Sequence, residues 1–234
     1  TSLNSDRLVG EAYTRGQLGS IGGVNTYMSQ NIPTHTVGIA TGTPLVNGAD
    51  QGVTYAASKD TNTQSLVTDG WTNSQTGIVK AGDVFTIAGV YAVNPVSKAT
   101  LPHLKQLTVT ADANSGSTTG PATLTISPAI IISGAHQTVN AVPADNAVIA
   151  VAGTGGTGYK QNMMFTKNAF ALVSVPLVAP PGAVDVSRQS YKGTNVRVIP
   201  VYDGTNDVSK WRLDFLYGVK TIDERQAIRV SGSA

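Results

Sequence analysis

The sequence predicts a mainly β protein with minor α content, on three observations. First, short apolar runs recur between turn-forming residues: Gly52–Ala57, Gly77–Lys80, Val84–Val93, Gln106–Ala111, Ala122–Ile126, Ile130–Ser133 and Ala147–Ala152. Second, the clearest of these alternates with period two, setting Leu107, Val109 and Ala111 opposite Thr108 and Thr110, as a half-buried strand does. Third, helix signals are few, the best being a short segment near the start, residues 5–16. Asp69-Gly70, Ala81-Gly82-Asp83 and the stretch from Asn114 to Pro121 separate the runs. Several short strands at this spacing predict a closed barrel or a sandwich over roughly residues 34–157.

The elements outside that region are read in order. Ser5 or Asp6 is placed to cap the helix of residues 5–16, and Gly16 to end it. A glycine-rich turn follows, then an extended segment from Val24 to Ile32 that Pro33 stops. Gly153-Thr-Gly-Gly-Thr-Gly158 lacks the Gly-Lys-Ser/Thr ending of a phosphate loop and reads as a flexible junction. Phe165–Val178 is apolar enough for a helix starting near Thr166–Asn168 or for a buried strand. Asn195–Tyr202 and Trp211–Lys220 read as paired strands joined by the turn at Asp203–Asp207. Pro200 marks an edge or a bulge. The alternation of Trp211, Leu213, Phe215 and Tyr217 with Arg212, Asp214 and Leu216 gives an apolar face, expected to be core.

Composition narrows the classes of function. Only 13% of the 234 residues are charged, against about 25% in ordinary soluble domains. Either the surface is rich in Thr, Ser and Asn, or neighbours of the same kind cover much of it, since interface cores are depleted of charge. A net charge of +2 provides no dense basic footprint for nucleic acid. With no Cys, disulfides and thiolate metal sites are excluded. No apolar run reaches the roughly 18 residues of a membrane-spanning helix.

Chemistry-bearing patterns are absent. His35, His103 and His136 have no second histidine or carboxylate at ligand spacing, so each is expected on a strand or the surface. No serine lies in a Gly-x-Ser-x-Gly elbow. Asp223 and Glu224 are adjacent and would point apart on a strand. Asp203 and Asp207 offer oxygen ligands, but Asp, Asn and Gly populate tight turns for backbone reasons. The basic residues Arg188, Lys192, Arg197, Lys210, Arg212, Lys220, Arg225 and Arg229 are interleaved with carboxylates. Mixed signs of this kind point to ion pairing or neighbour contacts rather than a phosphate track. The sequence therefore assigns no catalytic, cofactor-binding or metal-binding residue.

Three strings carry a family resemblance. Ala12–Pro33 resembles the segment of tailed-phage coat proteins that leads into an inserted domain, and Phe165–Leu177 with Pro180-Pro-Gly182 the segment that follows it. Arg212–Ile222 with Ala227-Ile-Arg-Val230 is similar to their C-terminal strands. The family is that of the phage P-twenty-two-type coat proteins, a branch of the Hong Kong 97-type capsid fold. The resemblance implies a C-terminal portion with three parts: residues 1–33 and 158–234 in the capsid core lobe, and an inserted β-barrel at 34–157. It also implies a structural subunit of an icosahedral shell, made in the host bacterial cytoplasm and residing in the virion. Its partners would be copies of itself in hexamers and pentamers, with scaffolding, portal or decoration proteins, around double-stranded DNA that is enclosed without specific recognition. It would need no cofactor and be no enzyme. The alternative is a β-rich fibre or adhesin module in which Trp71 and Trp211 stack on sugar rings. A hydrolase with a site dispersed along the chain is a third reading.

Overall fold

The computed structural model describes residues 17–21, 23–183, 185–223 and 226–231; the expected helix at 5–16 lies outside them. The described chain is mainly β, with a single helical turn. It divides into two units, residues 1–161 with 231–234 and residues 162–230.

In the first unit, β1 (Gln17–Ile21) and β2 (Val24–Tyr27) form an antiparallel hairpin, followed by the short strand β3 (Thr34–Thr36). Six strands then make one sheet: β4 (Gly42–Val46), β5 (Gln64–Trp71), β6 (Val84–Val93), β7 (Thr100–Val109), β8 (Ala122–Ser127) and β9 (Ile149–Val151). Their order is β4-β5-β8-β7-β6-β9. A bridge between Leu45 and Val148, with Val46 N donating to Ala147 O at 3.0 Å, joins the first strand to the end of the last. The sheet is thus nearly closed into a barrel, which removes the open edges that a flat sheet would expose.

Period-two burial fills this barrel. Leu66, Thr68 and Trp71 of β5 and Ala122, Leu124 and Ile126 of β8 are buried between exposed or half-buried neighbours. Phe85, Ile87, Leu107 and Val109 complete the layer. On β6 the phase slips: Ile87 and Val90 both point inward, and the register jumps between Thr86 and Tyr91. Gly89, at φ +80°, absorbs that bulge, a backbone conformation that an L side chain rarely adopts.

Two expected strands prove to be plugs. Gly77–Lys80 and Ile130–Ser133 form no ladder, yet Ile78, Val79 and Ile130 are fully buried in the barrel core. Gly52–Ala57 is not a strand either. Gln51 takes over pairing with β5 through its side chain, which donates to Val67 O at 3.0 Å and accepts from Val67 N at 2.7 Å. The chain is then free to turn, and α1 (Tyr55–Ser58) stacks Tyr55 on His136 at 3.8 Å. Conversely, Asp69-Gly70 is no turn but part of β5, just before its last residue. Gly70 has φ +73°, and a Cβ there would lie 2.3 Å from Thr43 O, so glycine permits the close approach of bulged β4. The glycine loop 153–158 is not a loose junction: Gly156 N donates to Val37 O and Val37 N to Thr157 O, both at 3.1 Å.

The carboxylate of Asp83, at the start of the barrel, is fully buried. Its Oδ1 lies 2.7 Å from His35 Nε2 on β3, and its Oδ2 accepts from Gly38 N at 3.0 Å and Lys80 N at 2.7 Å. These hydrogen bonds replace the water that burial takes from the carboxyl group. That group fastens β3, the 37–40 segment and the turn before β6 to a single point.

β10 (Gly158–Phe165) begins in the first unit, where Gly158–Lys160 pair with β3, and runs on into the second, where β11 (Phe170–Ser174) follows it. Phe165–Val178 therefore holds no helix. Then come β12 (Ser187–Tyr191), β13 (Thr194–Asp203), β14 (Val208–Phe215), β15 (Tyr217–Thr221) and β16 (Ala227–Ser231). β12-β13-β14 is an antiparallel sheet, β11 pairs with β15, and β16 pairs with β10. Asn195–Tyr202 falls within β13, whereas Trp211–Lys220 breaks at Leu216 into β14 and β15. Pro200 sits on the middle strand, but β12 ends opposite Val198, so on that side the proline has no ladder to disturb.

On one face of this sheet Asp214 accepts from Arg212 Nε at 2.7 Å and from Arg197 Nε at 3.1 Å, with Arg197 Nη2 closer still. Arg197 and then Arg212 hold the Asp214 carboxyl below the ordinary carboxylate range. In the turn, Asn206, Lys210 and the Thr205 amide do the same for Asp203.

Two expectations follow. Replacing Asp83 with Ala strands two backbone donors and the imidazole. It should cost about 3 kcal/mol or more, read as a lower midpoint in urea unfolding, whereas His35→Ala should cost less. Both shifted carboxyls have folded pKa values below their unfolded ones, so their stabilisation is present above about pH 4 and is lost as pH falls through the folded values. Asp214→Asn should lower the melting temperature at neutral pH and flatten its decline between about pH 4 and pH 2.

Candidate interaction surface

Cross-strand register sorts the residues of β12-β13-β14 into two faces. Pro200 opposes Trp211, Val198 opposes Leu213, and Val196 opposes Phe215; these share one face by the period-two rule. The other face carries Arg188 beside Arg197 and Asp214, Ile199 beside Arg212, and Val201 beside Lys210. Residue spacing anticipated this sorting. The fate of the apolar face differs from the expectation that it is core: Trp211 and Leu213 are each 69% exposed and Phe215 is 43% exposed.

The strand pair β11–β15 shows the same condition. Leu172 opposes Val219 on one face, at 66% and 70% exposure. Phe215 and Tyr217 stack at 5.1 Å across the break at Leu216, extending the exposed aromatic surface from one strand pair to the next. Among the described residues of this unit, only Ala169 and Ile199 are buried apolar side chains. A two-stranded ribbon has little stability of its own in water, and contiguous apolar patches of this kind mark protein contact surfaces. Alternation identified the face. It could not tell a face buried within the chain from one left for another molecule, because both demand the same residues.

The histidines do not converge. His35 pairs with Asp83, His136 stacks on Tyr55, and His103 is exposed on β7. The carboxylates of the Asp203–Asp207 turn are engaged by Thr205, Asn206, Lys210 and, at Asp207, by the Tyr202 hydroxyl at 2.6 Å. Asp223 accepts from Gln226 at 3.2 Å, and Glu224 lies outside the described residues. Among the described residues no group of three His, Cys, Asp or Glu side chains could hold a metal ion, and no helix is long and apolar enough to cross a membrane. Trp71 is buried, its indole N–H donating to Thr68 Oγ1 at 2.9 Å, which removes it as a sugar-stacking platform. A shallow groove of about 170 Å³ runs past Pro176, Leu177, Arg188, Asn195 and Arg197; no local pattern announces it, since its walls come from three separate segments.

Comparison with known proteins places this surface in context. The family described as P22 coat protein, gene protein 5, matches residues 2–228. A major capsid protein of Acyrthosiphon pisum secondary endosymbiont phage 1 is 28% identical over 220 residues, which cover 91% of this chain and 52% of that protein. The chain thus spans about half the length of that relative. The solved CUS-3 coat protein I-domain is 28% identical and covers 47% of this chain and 96% of its own, with a TM-score of 0.32. With the family matched from residue 2 to residue 228, this chain belongs to the P22 coat protein family.

Proposed function

We propose that the chain is part of a structural subunit of an icosahedral tailed-phage shell and works by being tiled against copies of itself. The observation that supports this most directly is the exposed face of Trp211, Leu213 and Phe215 on a sheet of the P22 coat protein family. An enzyme gains nothing from open aromatic strand faces. A shell subunit does, because many modest interfaces of this sort add up through avidity.

In this reading residues 34–157 form an inserted barrel, and residues 1–33 and 158–234 belong to the capsid core lobe of a Hong Kong 97-type fold. The barrel, with its own filled core, braces the subunit. Hexamers and pentamers of the protein enclose double-stranded DNA without reading it, and scaffolding, portal or decoration proteins are the further partners. The protein is made in the host cytoplasm and ends in the virion. No catalytic residue is assigned.

Negative-stain electron microscopy of the native source should show closed shells containing this chain; thin projections would instead identify a fibre. The two tryptophans should separate fold from assembly. Trp71→Ala should cost about 3–5 kcal/mol of barrel stability. Trp211→Asp or Leu213→Asp should leave the barrel's melting temperature within about 2 °C, since surface changes are worth within about 0.5 kcal/mol. Either Asp substitution should nevertheless abolish shell formation in an assembly assay.

A further inference from the structure

In residues 162–230 most of the carboxylates and guanidiniums are accounted for, while the ammonium groups of Lys167 and Lys220 have no hydrogen bond or ion pair. Asp203 is held by Lys210, Asp207 by Tyr202, Asp214 by Arg197 and Arg212, and Asp223 by Gln226. Arg229 is engaged as well. Among the described residues of this unit, that leaves one carboxylate, Asp185, and one guanidinium, Arg188, with no hydrogen bond or ion pair. They lie three residues apart: Arg188 is on β12, an edge strand that pairs with β13 alone, and Asp185 stands two residues before that strand begins. Both are exposed, and they are not paired with each other.

Arg188 also stands in an unfavourable place for an isolated molecule. Its cross-strand neighbour is Arg197, and like charges directly opposite on a sheet repel. Asp214 answers Arg197 and Arg212 but leaves the row Arg188–Arg197–Asp214–Arg212 with three cations and one anion. The groove beside it combines that excess positive charge with an apolar wall of Pro176 and Leu177. This fits a carboxylate on a short aliphatic stem. A nucleic-acid track would need further unanswered cations along the face, and Lys210 is already neutralised by Asp203 at 3.1 Å.

We infer that Arg188 is a socket for the Asp185 carboxylate of a second copy of this chain. Each copy carries both halves of the pair and leaves them exposed and unpaired, so two copies can supply them to each other. The two N–H groups of the guanidinium edge would take the carboxylate bidentately, fixing orientation as well as strength. The contact also supplies the anion that the Arg188–Arg197 pair lacks. This inference rests on the self-assembly reading and names one contact within it.

The test uses charge reversal and mixing, with sedimentation velocity and light scattering on the 234-residue chain. Arg188→Asp alone and Asp185→Arg alone should each weaken self-association about tenfold or more, in line with the coupling of close interfacial charge pairs. Unchanged circular dichroism and melting curves would show both folded. An equimolar mixture of the two variants should recover association, because each then supplies what the other lacks, and the double variant should recover it alone. Association of both single variants at wild-type strength, or failure of the mixture to recover, overturns the inference and leaves the shell reading intact. If the wild-type chain does not associate under any condition and no shells containing it are found, the shell reading falls and takes the contact with it.

Discussion

Apolar strand faces must be taken out of water, and the two units of this chain meet that constraint in opposite ways. The barrel meets it internally: its strands curl until Leu45 reaches Val148, and Leu66, Phe85, Ile87, Leu107, Leu124 and Ile126 face one another with almost no exposure. Residues 162–230 do not. Trp211, Leu213, Leu172 and Val219 stand on strands with ordinary cross-strand pairing but no layer above them. Burial of a large apolar side chain is worth about 1.5–3 kcal/mol. Leaving so many uncovered is costly in water, and the self-assembly we propose would cover them, so the family assignment and the exposed face point the same way.

Polar groups follow a stricter economy than the low charge content suggests. The barrel's one fully buried carboxylate, Asp83, is answered by an imidazole and two backbone amides. Gln51 and Gln64 spend their amides on the main chain, Gln64 bridging Gln51 O at 3.0 Å and Ile130 N at 2.7 Å. In such a setting a side chain does the work of a missing strand partner, which lets irregular segments seal the barrel without stranding donors. Few charges are needed because most polar demand comes from the backbone and is met by neutral amides and hydroxyls.

Much of this was legible in the sequence. The alternation of Leu107 with Thr108 and of Trp211 with Arg212 sorts faces correctly, and Val84–Val93 and Asn195–Tyr202 fall on strands. The misses have physical causes. In the sequence, Gln64–Trp71 is interrupted by Asp69-Gly70, a pair that normally turns the chain. Here the glycine is demanded by the 2.3 Å approach of Thr43 O to where a Cβ would be. Ile130–Ser133 is apolar because it is buried, and burial alone does not make a ladder. His35 and Asp83 are 48 residues apart, so no local spacing could pair them. The exposed face was found but assigned to the wrong side of the protein surface, since periodicity reports which residues share a face and not what covers it.

The contrast between the units also bears on how such a chain tolerates change. In the barrel, an altered core residue damages stability first, because its partners are fixed within the same unit and packing there is close. On β11, β14 and β15 a solvent-facing apolar residue has few intramolecular contacts to lose. Its replacement is nearly silent in the isolated molecule and is felt only where another surface should meet it. A unit with a sealed core can therefore vary its outer loops freely while holding its shape. In the self-assembly we propose, the open-faced strands are constrained instead by geometry that lies beyond the chain itself, and their residues answer to a neighbour rather than to the fold that displays them.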